Sequence, residues 1–183
     1  VAAPDLETRD ASTEQEGPVI RGYAALYDSP ISMGGYYVEK IAPGAFTKTI
    51  ANGDVLALLA HDWGRVLARQ SAKTLRLKDT PLGLYFELDA DTSTPSGQEA
   101  LGTVRSRAVK GCSFGFYVLR EDWDDAGEIP VRTIHEIELL EISILANPAY
   151  EATSAWVSSR SNSNNSAAVR RIREAQRKRG ILK

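Results

Sequence analysis

The hydrophobic positions of this chain fall into short runs rich in β-branched and aromatic residues, separated by polar turn residues. Such runs predict strands. They are VIRGYAALYD (19–28), VLALLAHD (55–62), LRLKD (75–79), GLYFELDAD (83–91), CSFGFYVLRED (112–122) and VRTIHEIELLEISIL (131–145). The turns PLG (81–83) and DDAGE (124–128) carry the Pro, Gly and Asp that tight connections between antiparallel neighbours require. Two segments read as helices. PGAFTKTIANG (43–53) opens with Pro and ends before Gly53, and Ser96 with Glu99 forms a capping box ahead of Leu101, Val104 and Ala108, with Gly111 as the stop. No segment repeats. The pattern predicts a mainly β, α+β fold: a mostly antiparallel core with a few helices.

Period-two alternation gives the segment GCSFGF (111–116) chemical content. As a strand it places Cys112, Phe114, Phe116 and Val118 on a core face, and Gly111, Ser113, Gly115 and Tyr117 on the other. Ser113 then stands between two residues without side chains, which predicts room for a substrate backbone at its hydroxyl. Cys112 is expected to be an inert core thiol rather than a nucleophile.

A serine nucleophile needs a base to take its proton, and the base needs a third group to orient it. His61, in AHDWGR (60–65), follows an apolar strand where a polar turn DWG is expected, and is the candidate base. Asp62 neighbours it, but adjacent strand residues point to opposite faces, so Asp62 reads as a turn or ion-pair residue with Arg65 or Arg69 as partners. Glu141 is the better third member. It interrupts the apolar LLEISIL, where an unpaired carboxylate is costly. His135 shares the strand parity of Glu141 but lies six residues away, roughly 20 Å at about 3.3 Å per residue. It is assigned a surface or strand-pairing role.

Composition narrows the class without naming it. The 183 residues suit one domain plus tails, and 43% hydrophobic with 25% charged residues is ordinary for a globular protein. No apolar run approaches the roughly 20 residues of a membrane span. A single cysteine and two histidines exclude an internal disulfide and a zinc site of the CxxC type, and a reducing compartment fits best. The opening VAAPDLETRD lacks an initiator Met and the order of a signal peptide, so a truncated or processed end is expected. The net charge of −2 hides an asymmetry: eight Lys and Arg against Glu174 alone make residues 160–183 a +7 tail on a −9 body. SSRSNSNNS (158–166) reads as a flexible linker, and AAVRRIREAQRKRG after it as a solvated helix or a dock for an acidic scaffold or capsid surface. Nucleic acid is the weaker partner, since the tail has no aromatic residue for stacking.

Taken in order, six segments resemble the prohead maturation proteases of tailed phages. These are RGYAALYD, EKIAPGAF (39–46), the His-Asp after an apolar strand, LGLYFELD before the helix, G-x-S-F-G-F, and E-I-S-I-L-x-N-P-A-Y. The resemblance covers residues 19–157 as a protease domain, leaving 1–18 as a flexible N-terminal segment and 158–183 as linker and basic helix. Such enzymes are similar to the herpesvirus assembly proteases, which carry serine, histidine and a second histidine on a β-barrel surrounded by helices. The resemblance implies a barrel-like core, Ser113 as nucleophile, His61 as base and Glu141 at the third position, a departure from the second histidine. It also implies cleavage of the scaffolding segment of the major capsid protein and of the protease itself, inside the assembling procapsid in the bacterial host cytoplasm. Neither cofactor nor metal is implied, and a homo-oligomer is possible. The loop Leu145-Ala146-Asn147-Pro148 is the candidate oxyanion hole by the same likeness, and Pro148 has no N–H to offer. The tail is expected to anchor the protease to the procapsid, with self-cleavage in 158–169.

The alternative class is a non-catalytic, β-rich capsid-assembly or scaffold protein with the same strands and tail. An esterase is disfavoured, because no β/α alternation is present to set a strand-to-helix nucleophile elbow.

Overall fold

A computed structural model of the chain describes residues 18–148 and 153–158. The expected N-terminal segment, the 158–166 linker beyond Ser158 and the basic helix lie outside the described residues. Strands β1 (Val19–Leu26), β2 (Ile31–Met33) and β3 (Tyr37–Ile41) lead to helix α1 (Thr47–Asn52), then β4 (Leu56–Leu59), β5 (Asp62–Arg69), β6 (Leu75–Thr80) and β7 (Gly83–Asp89). Helix α2 (Pro95–Arg105) precedes the two long strands β8 (Gly111–Asp124) and β9 (Val131–Leu145), and β10 (Ser154–Ser158) follows.

The strands form two sheets. One is antiparallel, in the order β10-β1-β7-β6, and β1, paired on its two edges by β7 and β10, is buried along its whole length. The other is built on β9. Strand β8 runs antiparallel along one edge of β9 from Val131 to Leu145. The other edge is shared by two parallel neighbours, β3 at Val131–Ile134 and β4 at Glu141–Ile144. The gap between them is closed by the α1 segment: the Ile137 amide donates to Ala45 O, and the Leu139 amide to Thr49 Oγ1. Backbone donors in a buried strand need partners, and here the turn before α1 and a helix side chain supply those that a strand does not.

Side chains from both sheets share one apolar interior, including Ile20, Leu84 and Phe86 from the first and Ile134, Ile142 and Ile144 from the second. Phe46 meets Phe114 edge-on at 5.8 Å between ring centroids, and Phe114 stacks on Phe116. Among the described residues no ladder joins one sheet to the other, so the barrel-like core expected from the resemblance is instead an open pair of sheets. The reason is local. The central strands β1 and β9 have both edges occupied within their own sheets, which leaves closure to outer strands that do not pair. The mainly β, α+β character stands, with two parallel pairings in a mostly antiparallel arrangement.

Both helices differ from expectation at their starts. Residues 43–46 form turns, with Gly44 at φ 83°, and α1 begins only at Thr47. Helix α2 is capped by Thr94, whose side chain accepts from the Gly97 amide at 3.1 Å, with Pro95 in the first turn. Ser96 therefore lies inside the helix, and Glu99 pairs with Arg65 instead of completing a capping box. The helix stops at Arg105, so Ala108 falls outside it and Gly111 starts β8. Among the described residues no helix is long and apolar enough to cross a membrane.

Candidate active site

The predicted strand 55–62 is broken two residues before its end. β4 stops at Leu59, Leu59 pairs with Asp62, and Ala60 and His61 form the two-residue turn into β5. Both turn residues are left-handed, at φ 55° and 59°. That conformation suits the twist of a hairpin, but it is normally filled by Asn-Gly, and a side chain there costs roughly 1–2 kcal/mol per residue. The opposing hydrogen bonds come from β9: the Ala60 amide donates to Ile144 O at 3.0 Å, and the His61 amide to Ser143 Oγ at 3.0 Å. The expected DWG turn is thus the first stretch of β5.

The turn carries the imidazole over β9. His61 Nδ1 lies 2.7 Å from Glu141 Oε1, and the second carboxylate oxygen accepts from Ser143 Oγ at 2.6 Å. Glu141 and Ser143 are both buried, whereas the His61 side chain is 43% exposed. An ionised carboxylate only accepts, so its presence assigns the ring proton to Nδ1 and leaves Nε2 as the basic nitrogen.

Ser113 sits on the neighbouring strand. It pairs with Ser143 across the ladder, as Gly115 pairs with Glu141. Paired residues share a sheet face, so Ser113, Gly115, Glu141 and Ser143 lie together, with about 4.5–5.5 Å between paired Cβ positions. Among the described residues no hydrogen bond joins Ser113 Oγ to His61. The serine is 7% exposed, more enclosed than an outward-facing strand position predicts.

The two flanking glycines have a different use from the one their spacing suggests. A Cβ on Gly115 would fall 2.7 Å from Glu141 Oε1, and one on Gly111 would fall 2.5 Å from the Pro148 ring. The space at Gly115 holds the carboxylate of Glu141, and that at Gly111 holds the loop after β9, rather than either being open for substrate. The carboxylate oxygen that binds His61 Nδ1, Glu141 Oε1, thus lies over Gly115, two residues along β8 from Ser113. The loop 145–148 meets the start of β8 at the same end, with Ala146 and Asn147 exposed.

The remaining candidates are placed elsewhere. Asp62 Oδ1 accepts from the Gly64 amide at 2.8 Å, a local contact, while Arg65 pairs with Glu99 and Arg69 with Asp54. The expected ion pair of Asp62 with either arginine is therefore not formed: each arginine already has a carboxylate partner. Arg69 and the Ser71 amide hold the exposed Asp54 carboxyl down at about 2. His135 Nε2 bonds Asp122 Oδ2 across the β8–β9 ladder at 2.8 Å.

Cys112 is fully buried, and burial, with the nearby Glu141 charge adding to it, pushes its thiol well above the usual range. Iodoacetamide at pH 8 is expected to label the native chain roughly 100-fold more slowly than the urea-unfolded chain. Equal rates would show that the thiol is reachable from solvent.

Ser143 is the member of this hydrogen-bonded cluster that sequence reasoning passed over. Its signal was present: it is the second polar residue, at strand spacing from Glu141, in an otherwise apolar run. Among the described residues no group of three or more His, Cys, Asp or Glu side chains is placed to hold a metal ion.

An oriented imidazole on a buried carboxylate, with an enclosed serine on the paired neighbouring strand, is an arrangement able to perform acyl transfer. No curated protein matches the chain. The family model described as caudovirus prohead serine protease matches residues 4–167, and the chain belongs to that family.

Proposed function

We propose that this capsid-maturation protease cuts peptide bonds through a Ser113–His61–Glu141 triad. Ser113 Oγ attacks the scissile carbonyl carbon while His61 Nε2 removes its proton. His61 then returns that proton to the leaving amine, and water repeats the sequence to release the acyl group. Glu141 holds the ring through Nδ1 and balances the imidazolium charge. The observation that carries the reading is the 2.7 Å bond from His61 to a buried carboxylate whose strand neighbour is paired with the serine's own strand. A catalytic Ser–His bond is commonly long without substrate and tightens on binding. The substrates in this reading are the scaffolding segment of the major capsid protein and the protease itself, within the procapsid. Ala146 and Asn147, exposed on the loop that meets the start of β8, are the candidates to offer backbone N–H groups to the oxyanion.

The test is chemical. Full-length protein treated with a fluorophosphonate and digested for peptide mass spectrometry is expected to carry a single adduct, on Ser113. An adduct on another serine would reassign the nucleophile, and none in either free protein or procapsids would favour the scaffold alternative.

A further inference from the structure

We propose that Ser143 is a positioning residue for the active site, acting through Glu141 and through the backbone of His61. The inference rests on the triad reading above.

The hydroxyl is fully buried and has two partners at good geometry. Oγ donates to Glu141 Oε2 at 2.6 Å and accepts from the His61 amide at 3.0 Å. With the 2.7 Å contact between Glu141 Oε1 and His61 Nδ1, these bonds close a ring: His61 backbone, Ser143 hydroxyl, Glu141 carboxylate, His61 imidazole. One hydroxyl thus constrains both ends of the histidine.

Each constraint answers a specific freedom. A glutamate side chain has three rotatable bonds, and its carboxylate could satisfy the imidazole with either oxygen and from several angles. Donation from Ser143 fixes Oε2 and leaves only Oε1 for the ring. The left-handed His61 backbone, at φ 59°, would relax were its amide unpaired. Acceptance by Ser143 holds it. Ser143 also faces Ser113 directly in the ladder, so the group that orients the base stands on the nucleophile's own register line. A hydroxyl is the group that suits the place: it donates to the carboxylate and accepts from the amide at once, which no apolar residue of similar size can do.

The test compares Ser143→Ala, Ser143→Cys and Ser143→Thr in the full chain. The rate of Ser113 modification by a fluorophosphonate is measured beside the far-downfield Nδ1–H resonance of His61, the latter in a Ser113→Ala background that blocks self-cleavage. Charge-assisted hydrogen bonds of this kind predict a 10- to 100-fold loss of rate, about 1.4–2.7 kcal/mol, in the Ala variant, with loss or an upfield move of the resonance. The Cys variant, a weak donor, follows Ala and reads the same quantity if the Ala variant does not fold. Ser143→Thr restores rate and resonance to within a few fold. Unchanged rate and resonance in a folded Ala or Cys variant would overturn the inference, as would equal losses in Cys and Thr with the resonance intact. If the native chain shows no adduct on Ser113 yet the resonance still follows the hydroxyl, the positioning role stands and the triad reading falls.

Discussion

Ser113→Ala is expected to reduce processing of capsid protein by roughly 10⁶-fold in kcat, the loss found for a residue acting within a triad. The substitution removes one oxygen from an enclosed strand position and leaves the strand pairing of β8 and β9 in place. The fold should therefore survive, and an unchanged unfolding midpoint would separate lost chemistry from lost structure. The measurement is single-turnover cleavage of procapsids assembled with the variant, read on gels. Activity within about tenfold of the native protein would eliminate Ser113 as nucleophile.

Glu141→Gln is expected to lower the same rate by about 10⁴-fold, the loss found when the orienting acid of a triad becomes its amide. The geometry explains why an isosteric change is so damaging. Two donors, His61 Nδ1–H and Ser143 O–H, meet two carboxylate oxygens. An amide offers one oxygen and one NH₂. If its NH₂ faces the ring, the imidazole proton moves to Nε2 and the base is lost. If its oxygen faces the ring, the tautomer is kept but the charge that balances the imidazolium is gone. Cleavage within tenfold of native would assign Glu141 a purely structural role. Glu141→Asp is a useful companion: it keeps the charge but shortens the reach across Gly115, so an intermediate rate is expected.

The long strands were the legible part of the sequence. Residues 131–145 were bounded correctly because a 15-residue run of alternating β-branched and apolar residues has no competing periodicity. The core face of β8 was legible for the same reason: Cys112 and Phe114 are buried while Tyr117 is exposed. Short elements were not legible. β2 is three residues long, and β5 begins with the turn-like Asp-Trp-Gly, so neither has a pattern that outweighs its polar content. The turn at Ala60-His61 could not be read either, since neither residue favours a left-handed backbone and the bonds that hold it come from residues more than 80 positions away. Tertiary contacts override local preference there. In the candidate site, Glu141 was identifiable from the cost of an unpaired buried charge. The use of Gly115 was not, because only the register shows whose side chain lies over it.

The placement of the site on β9 and its neighbours determines which of its parts can move. Openings that approach the free energy of global unfolding belong to paired central strands, and those of low free energy to strand ends and loops. Ser113, Glu141 and Ser143 lie within the long paired stretch of β8 and the central strand β9, so separating them requires breaking that ladder. His61 is different, since it rides on a strained turn at a strand end. Fluctuation of the proposed centre is thus concentrated in His61, with Ser113 and Glu141 as a fixed frame.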